Sequence, residues 1–236
     1  MHPVIPKIRS DFKKYIDHKS KQSFQRFFKE RVKYYGVKTG LVHQIARTYW
    51  PQIKVLPKPD AFAIFETLLA SDYCEEAFMV SSWAPKLIKQ FEPKDLDIFE
   101  RWIDRYINNW AKCDSFCNHT VGDFIEKHPQ SISRLKIWAK SQNRWLKRAA
   151  AVSLIVPAKR GKYLNEVFAI ADLLLLDPDD MVQKGYGWLL KEASRQHQQA
   201  IFDYVVKNKQ TMPRTALRYA IELMPQNLKQ IAMKRE

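Results

Sequence analysis

Glycine, cysteine and long apolar runs are all scarce in this chain, and each shortage excludes a class of structure. Six glycines in 236 residues are too few for a sheet-rich fold with many tight turns. Three cysteines without paired spacing exclude a disulfide framework and favour reduced, cytoplasmic thiols. No apolar stretch approaches the roughly 18 residues of a membrane span, and residues 2–14 lack the apolar core of a signal peptide. We therefore expect a cytoplasmic protein without a membrane segment.

Motifs for nucleotide and metal binding are missing as well. The chain has no glycine-rich phosphate loop ending in Gly-Lys-Ser/Thr, and its histidines form no His-Glu-x-x-His pair. Cys113, Cys117 and His119 lack the spacing and the fourth ligand of a structural zinc site. We expect neither a cofactor nor a metal.

Acidic residues are outnumbered, with 25 Asp and Glu against 40 Lys and Arg and a net charge of +15. Such an excess indicates a polyanionic partner, with nucleic acid first and an anionic membrane surface second. Apolar residues make up 46% of the chain and aromatic residues 13%, which is enough for a folded core.

Polar turns recur at a nearly constant interval. They lie 37, 34, 36 and 32 residues apart, at Asp72, Asn109, Asn143, Asp179 and Thr211. A helix of about a dozen residues is predicted before each turn, and longer helices are predicted after them over residues 75–91, 113–128, 145–156, 180–196 and 214–224. This period is typical of HEAT-like repeats. We predict an all-α fold, a curved solenoid forming one domain over residues 1–236, with about six helical pairs and a basic concave face.

Apolar spacing predicts further helices outside these pairs. Apolar residues recur at helical intervals in two places, at Phe24, Phe27, Phe28 and Val32 and at Phe62, Phe65, Leu68 and Leu69. Strand-like alternation is not sustained anywhere.

Three short segments at the starts of predicted second helices carry the candidate chemistry. Residues 109–114, 145–150 and 184–188 supply Trp110, Asp114, Arg148 and Trp188. Trp110 and Asp114 are four residues apart and share one helix face. Because a solenoid stacks equivalent positions side by side, all four side chains are expected to line one cleft. Phosphates repel a carboxylate, so Asp114 in this basic protein indicates chemistry on a cationic centre.

The order and spacing of these segments resemble a known family, the AlkD-like DNA alkylation repair proteins, which are alkylpurine DNA glycosylases built from HEAT-like repeats. The resemblance covers nearly the whole chain. It rests on Phe27-Phe28, Tyr35-Gly36-Val37, Trp110-x-x-x-Asp114, Trp145-Leu146-x-Arg148-Ala149-Ala150, Gln183-Lys184-Gly185-x-Gly187-Trp188 and Met212-Pro213-Arg214-Thr215-Ala216-Leu217-Arg218-Tyr219-Ala220. The sequence differs from the best-known members at Phe27, Asn109 and Ala111.

The resemblance implies an activity and a set of residues. It implies hydrolytic removal of cationic N3- or N7-alkylated purines from duplex DNA, without a flipped-base pocket and without a Schiff-base lysine. Asp114, Trp110, Trp188 and Arg148 correspond to the family's catalytic positions. The partner would be alkylated duplex DNA, and a capped solenoid is expected to be a monomer.

Basic side chains along the predicted helices are the candidate phosphate ligands. Arg144, Lys147 and Arg148 cluster at one helix start, which favours contact with the DNA backbone. The wider set of expected DNA-binding residues adds Lys184, Arg214, Arg218 and the aromatic Phe27.

Plainer interpretations stay open for each residue. A tryptophan at helical spacing is usually part of a core, and an aspartate near a helix start often serves the helix dipole. Arg148 can pair with Asp114 as a structural bridge between repeats. At the level of the whole protein, the alternatives are a non-catalytic solenoid that binds DNA structure or backbone, and a scaffold that binds other proteins.

Overall fold

The computed structural model describes residues 2–234, and these residues are organised as α-helices joined by short turns. Within the described part of the chain there is no β-strand, and only an isolated bridge joins Lys33 to Tyr73. The prediction of an all-α repeat fold is therefore confirmed. No helix between residues 2 and 234 has both the length and the apolarity needed to cross a membrane.

The chain divides into two compact units, with the boundary between Phe116 and Cys117. The sequence predicts one continuous solenoid domain, and that remains a prediction.

The first unit contains seven α-helices among its described residues. They are α1 (Val4–Lys14), α2 (His18–Phe24), α3 (Thr39–Ile53), α4 (Lys58–Ala70), α5 (Cys74–Trp83), α6 (Asp95–Tyr106) and α7 (Trp110–Phe116). Helices α3, α5 and α7 pack side by side, and α4 and α6 pack on each other behind them. Phe62, Phe65 and Leu68 of α4 are buried, as their spacing predicts. Phe62 and Phe65 meet the ring of Trp102 edge-on, so aromatic contacts build this core.

The second unit begins with a π-helical turn at Cys117–Val121 and continues with nine α-helices among its described residues. These are α8 (Gly122–Lys127), α9 (Ile132–Trp138), α10 (Arg144–Val152), α11 (Ile155–Lys159), α12 (Leu164–Leu174), α13 (Asp180–Ala193), α14 (Gln198–Asn208), α15 (Arg214–Ala220) and α16 (Gln226–Met233). Helix α13 lies between α10 and α15 and packs against both. Glycine permits this approach, because a Cβ at Gly187 would lie 2.8 Å from the carbonyl oxygen of Ala216.

The helices that follow the polar turns begin close to their predicted starts, but several of them end before their predicted ends. The helix predicted over residues 75–91 ends at Trp83 and continues as a 3-10 segment, Ala84–Gln90, that contains Pro85. The helix predicted over residues 113–128 is broken into α7, the π-helical turn and α8.

The predicted helix over Phe24, Phe28 and Val32 is wrong. Helix α2 ends at Phe24, and Phe28 has extended backbone angles of φ −124° and ψ 139°. The amide side chain of Gln25 accepts a hydrogen bond from the backbone N–H of Val32 and so competes with helical pairing. The apolar spacing reflects separate contacts rather than one helix face.

Candidate functional site

Trp110 and Asp114 share the outward side of α7, as their spacing predicts. Lys112, Cys113 and Phe116 are the buried residues of this helix, whereas Trp110 and Asp114 are each half-buried. A carboxylate and an indole are therefore both accessible from one side of a short helix that is fixed in the first unit.

Asn109 explains why α7 begins where it does. Its side chain is fully buried, and its Oδ1 accepts a hydrogen bond of 3.0 Å from the backbone N–H of Lys112. This is the bond of a helix N-cap. Its Nδ2 lies 3.6 Å from the sulfur of Cys74, and burial raises the pKa of the Cys74 thiol to about 11. Asn109 is thus a structural residue that positions Trp110, its neighbour in sequence.

Lys112 is the lysine nearest to Asp114 in sequence, and its ammonium group is used structurally. The side chain is only 1% exposed. Its Nζ donates to Oδ1 of Asp72 at 2.6 Å, to the carbonyl oxygen of Asp72 at 2.9 Å and to Oδ1 of Asn108 at 3.0 Å. All three N–H bonds have acceptors, so Lys112 fastens α7 to the turns at Asp72 and Asn108 and is not a free amine nucleophile.

Trp110 is held by two residues that sequence reasoning did not connect to it. Its ring stacks on Phe28 with centroids 5.3 Å apart and an interplanar angle of 20°. Its Nε1–H donates to the carbonyl oxygen of Phe27 at 3.1 Å. Phe28 is buried, whereas the side chain of Phe27 is 69% exposed. No sequence signal marks this contact, because more than 80 residues separate the partners.

Arg148 and Trp188 lie in the second unit, on the neighbouring helices α10 and α13. Arg148 is only 5% exposed, and its Nη1 donates to the carbonyl oxygen of Met181. A Cβ at Gly185 would lie 3.3 Å from Cγ of Arg148, so this glycine lets α13 pass close to the arginine stem. Trp188 is half-buried on the same helix as Gly185.

Arg144, Lys147 and Arg148, hereafter the α10 cation cluster, are engaged within the second unit. Nε of Arg144 lies 2.7 Å from Oδ2 of Asp179, and Nζ of Lys147 lies 2.7 Å from Oδ2 of Asp177. Asp179 also caps α13 by accepting from the backbone N–H of Met181. The predicted phosphate ligands on α10 therefore already have acidic or carbonyl partners, and their role in DNA binding stays a prediction.

The other predicted DNA-binding residues of the second unit have different surroundings. Nζ of Lys184 lies 3.3 Å from Oδ2 of Asp180, one helical turn away. Nη1 of Arg214 donates to the carbonyl oxygen of Met233 at 3.0 Å. Arg218 is exposed.

Positive charge in the first unit is concentrated at its beginning. Residues 2–38, hereafter the N-terminal basic segment, contain eleven Lys and Arg against three Asp and Glu, a net charge of +8. Residues 39–116 contain nine against eleven, a net charge of −2. Lys19, Lys21, Arg26 and Arg31 are exposed and form no ion pair with any described residue.

Two buried glutamates of α5 hold this segment in place. Glu75 accepts hydrogen bonds from the backbone N–H groups of Gly36 and Val37, at 2.9 and 3.1 Å. Glu76 forms a two-point pair with Arg9, at 3.0 Å for each bond, and accepts from the hydroxyl of Tyr35 at 2.7 Å. Burial, followed by this bond to Glu76, raises the pKa of Tyr35. These bonds fix the segment against α5.

Residue types that bind metals do not cluster in the described part of the chain. Among residues 2–234, no group of three or more His, Cys, Asp and Glu side chains could hold a metal ion.

Comparison with known proteins identifies the family. The sequence profile described as DNA alkylation repair enzyme matches residues 8–224, which is most of the chain. The chain therefore belongs to the DNA alkylation repair enzyme family, and this membership supports a role in DNA repair.

A solved structure shows the same fold. The chain is similar to a structure described as a predicted DNA alkylation repair enzyme from Enterococcus faecalis, with a TM-score of 0.79 and 13% sequence identity. The match covers 89% of this chain and 97% of that chain. No curated protein matches this sequence.

Proposed function

We propose that this protein is a monofunctional DNA glycosylase that removes cationic N3- or N7-alkylated purines from duplex DNA. The observation that supports this most is that Asp114 and Trp110 share the accessible side of α7 in a basic protein of this family. A carboxylate has no use as a phosphate ligand, but it suits a reaction in which positive charge develops on a sugar.

The chemistry follows from the charge of the lesion. When the glycosidic bond between C1′ and N9 of the alkylated purine breaks, its electron pair neutralises the cationic purine, and positive charge appears on the deoxyribose. The ionised carboxylate of Asp114 stabilises this charge and orients a water molecule toward C1′. The water adds to C1′ and loses its proton to solvent, which leaves an abasic site. No covalent bond to a lysine is needed.

The remaining residues position and stabilise the reacting nucleotide without forming or breaking a bond. The face of the Trp110 indole attracts a cationic group by about 0.5–2 kcal/mol, depending on how far water is excluded. Trp188 would supply a second aromatic surface of the same kind, and Arg148 would bind a phosphate of the damaged strand. Phe27 and the basic side chains would hold the flanking backbone.

Base release from methylated duplex DNA tests this proposal. The purified protein should release 3-methyladenine and 7-methylguanine, and Asp114→Asn should abolish release while DNA affinity stays similar or rises. Because asparagine keeps the shape of aspartate and removes only its charge, the Asp114→Asn variant should fold normally and isolates the effect of the charge. No release by the unchanged protein, with DNA binding intact, would instead favour a non-catalytic DNA-binding solenoid.

That second candidate draws on the exposed cations of the N-terminal basic segment, which suit backbone binding with or without chemistry. For a non-catalytic binder, Asp114→Asn would matter little, and loss of cations would flatten the salt dependence of binding. For a protein-binding scaffold, DNA affinity would be negligible at physiological salt.

A further inference from the structure

The indole of Trp110 is fixed by contacts that restrain two different motions. Stacking on Phe28, with centroids 5.3 Å apart and planes 20° from parallel, restrains the tilt of the ring. The hydrogen bond from Nε1–H to the carbonyl oxygen of Phe27, at 3.1 Å, restrains rotation within the ring plane. Trp110 is half-buried, and these two contacts together define the direction of its ring.

Phe28 is itself well anchored. It is 8% exposed, and its ring lies 5.0 Å from the ring of Phe24, which in turn lies 4.7 Å from the ring of Tyr34. Its backbone N–H donates to the carbonyl oxygen of Gln25 at 3.0 Å. The support behind Trp110 is therefore an aromatic cluster and not a loose loop.

Phe27, which precedes Phe28 in the chain, has its side chain directed outward. Phe27 is 69% exposed, and exposed Arg26 and Arg31 flank the pair without ion pairs to any residue from 2 to 234. An exposed aromatic ring among cations is suited to a nucleic acid surface. One short stretch of chain thus supports Trp110 and also exposes cations of the N-terminal basic segment.

We propose that Phe28 is a positioning residue, which holds the indole of Trp110 in the orientation that it presents to DNA. The inference extends the proposed glycosylase function and rests on it for its effect on rate. Displacing the indole ring by about 1 Å can remove a large part of the enzyme's rate enhancement, because packing against the reacting sugar depends on geometry. Phe28 contacts no reacting atom in this account, so its effect runs through Trp110.

The test compares Phe28→Leu with two matched variants. Phe24→Leu removes the same ring area from the same aromatic cluster without a direct contact to Trp110, and Phe28→Tyr keeps the ring. Three quantities are measured: DNA affinity, the rate of base release at saturating enzyme, and the indole N–H resonance of Trp110 in protein labelled with nitrogen-15 tryptophan. Trp110→Phe assigns that resonance.

For Phe28→Leu, the release rate should fall roughly tenfold or more, while affinity changes less than about twofold. The Trp110 indole resonance should shift, and its N–H should exchange faster with water. Phe24→Leu should change each quantity less than Phe28→Leu does, and Phe28→Tyr should keep the release rate of the unchanged protein. Circular dichroism and urea unfolding show whether each variant is folded.

Several results would overturn the inference. An unmoved indole resonance in folded Phe28→Leu would show that Phe28 does not orient Trp110, and equal effects of Phe24→Leu would show general loss of packing. If the unchanged protein releases no base, the glycosylase proposal fails by itself. The indole resonance in the DNA complex then decides whether Phe28 orients Trp110: a shift in Phe28→Leu supports it, and no shift rejects it.

Discussion

Two basic regions of this protein differ in the share of their cations that is already paired with carboxylates. In the α10 cation cluster, Arg144 and Lys147 pair with Asp179 and Asp177 at 2.7 Å. In the N-terminal basic segment, Lys19, Lys21, Arg26 and Arg31 are exposed and without ion pairs to residues 2–234. Side chains that already pair with carboxylates contribute less to the free energy of phosphate binding, because the carboxylate must be displaced. Net charge alone therefore does not identify the cations that are available to DNA.

The largest expected effect concerns the exposed set. Replacing Lys19, Lys21, Arg26 and Arg31 by Gln should weaken binding to unmodified duplex DNA by roughly a hundredfold at moderate salt, and should reduce the slope of log K against log salt by about 0.9 for each lost phosphate contact. Fluorescence anisotropy at several salt concentrations measures both quantities.

The matched control removes four exposed lysines from the second unit, Lys136, Lys140, Lys159 and Lys207, which lack ion pairs to the described residues. This variant has the same net charge and should bind more tightly than the first. Equal losses in the two variants would mean that net charge and not position governs binding.

A smaller effect is expected for glycine substitutions on two helices that adjoin these regions, α13 and α3. Gly187→Ala should lower the free energy of unfolding by about 2 kcal/mol, since the new Cβ would lie 2.8 Å from the carbonyl oxygen of Ala216. Gly40→Ala, beside the N-terminal basic segment, has no atom within 4 Å of the new Cβ and should be neutral or stabilising. Urea denaturation compares them, and similar losses would contradict the tight packing of α13 on α15.

Removing the paired cations of α10 should change stability more than DNA binding. Arg144→Gln with Lys147→Gln breaks two partly exposed ion pairs, so the free energy of unfolding should fall by about 1 kcal/mol. The salt slope should change less than in the four-cation variant of the N-terminal basic segment. Lys136→Gln with Lys140→Gln is the control of equal charge and should leave stability unchanged. A large drop in slope for the Arg144 and Lys147 variant would show that these pairs open to bind phosphate.

The smallest effect is a pH dependence within the N-terminal basic segment. Hydrogen bonds from Lys14 and Tyr49 lower the pKa of Asp11, and the Tyr49 bond joins α1 to α3. A lowered folded pKa means that the stabilisation is present above the unfolded pKa of about 3.9 and is lost as pH falls through the folded value. Asp11→Asn should therefore lower the free energy of unfolding by a few tenths of a kcal/mol at pH 7 and leave it unchanged at strongly acidic pH. A difference that persists in acid would contradict this origin.

Local patterns in the sequence were sufficient to predict much of the fold. Asn109, Asn143 and Asp179 cap α7, α10 and α13, so the recurring polar turns mark real helix starts. The spacing of Trp110 and Asp114 predicted their common helix face. Such features depend on residues that are close in sequence.

Contacts between distant segments could not be predicted in this way. Nothing in the sequence indicates that Phe28 stacks on Trp110, or that Asp177 and Asp179 pair with Lys147 and Arg144. The apolar spacing around Phe28 suggested a helix, although it is built from separate tertiary contacts. Partner choice among many similar side chains is set by packing, which one-dimensional spacing does not encode.

The most direct test of the central claim uses duplex DNA with a cationic abasic analogue, such as a pyrrolidine in place of the deoxyribose. A neutral tetrahydrofuran analogue in the same duplex is the control. If Asp114 stabilises positive charge on the sugar, the unchanged protein should bind the cationic duplex at least tenfold more tightly, and Asp114→Asn should lose that preference. Equal affinity for both duplexes, or a preference that survives Asp114→Asn, would contradict the account.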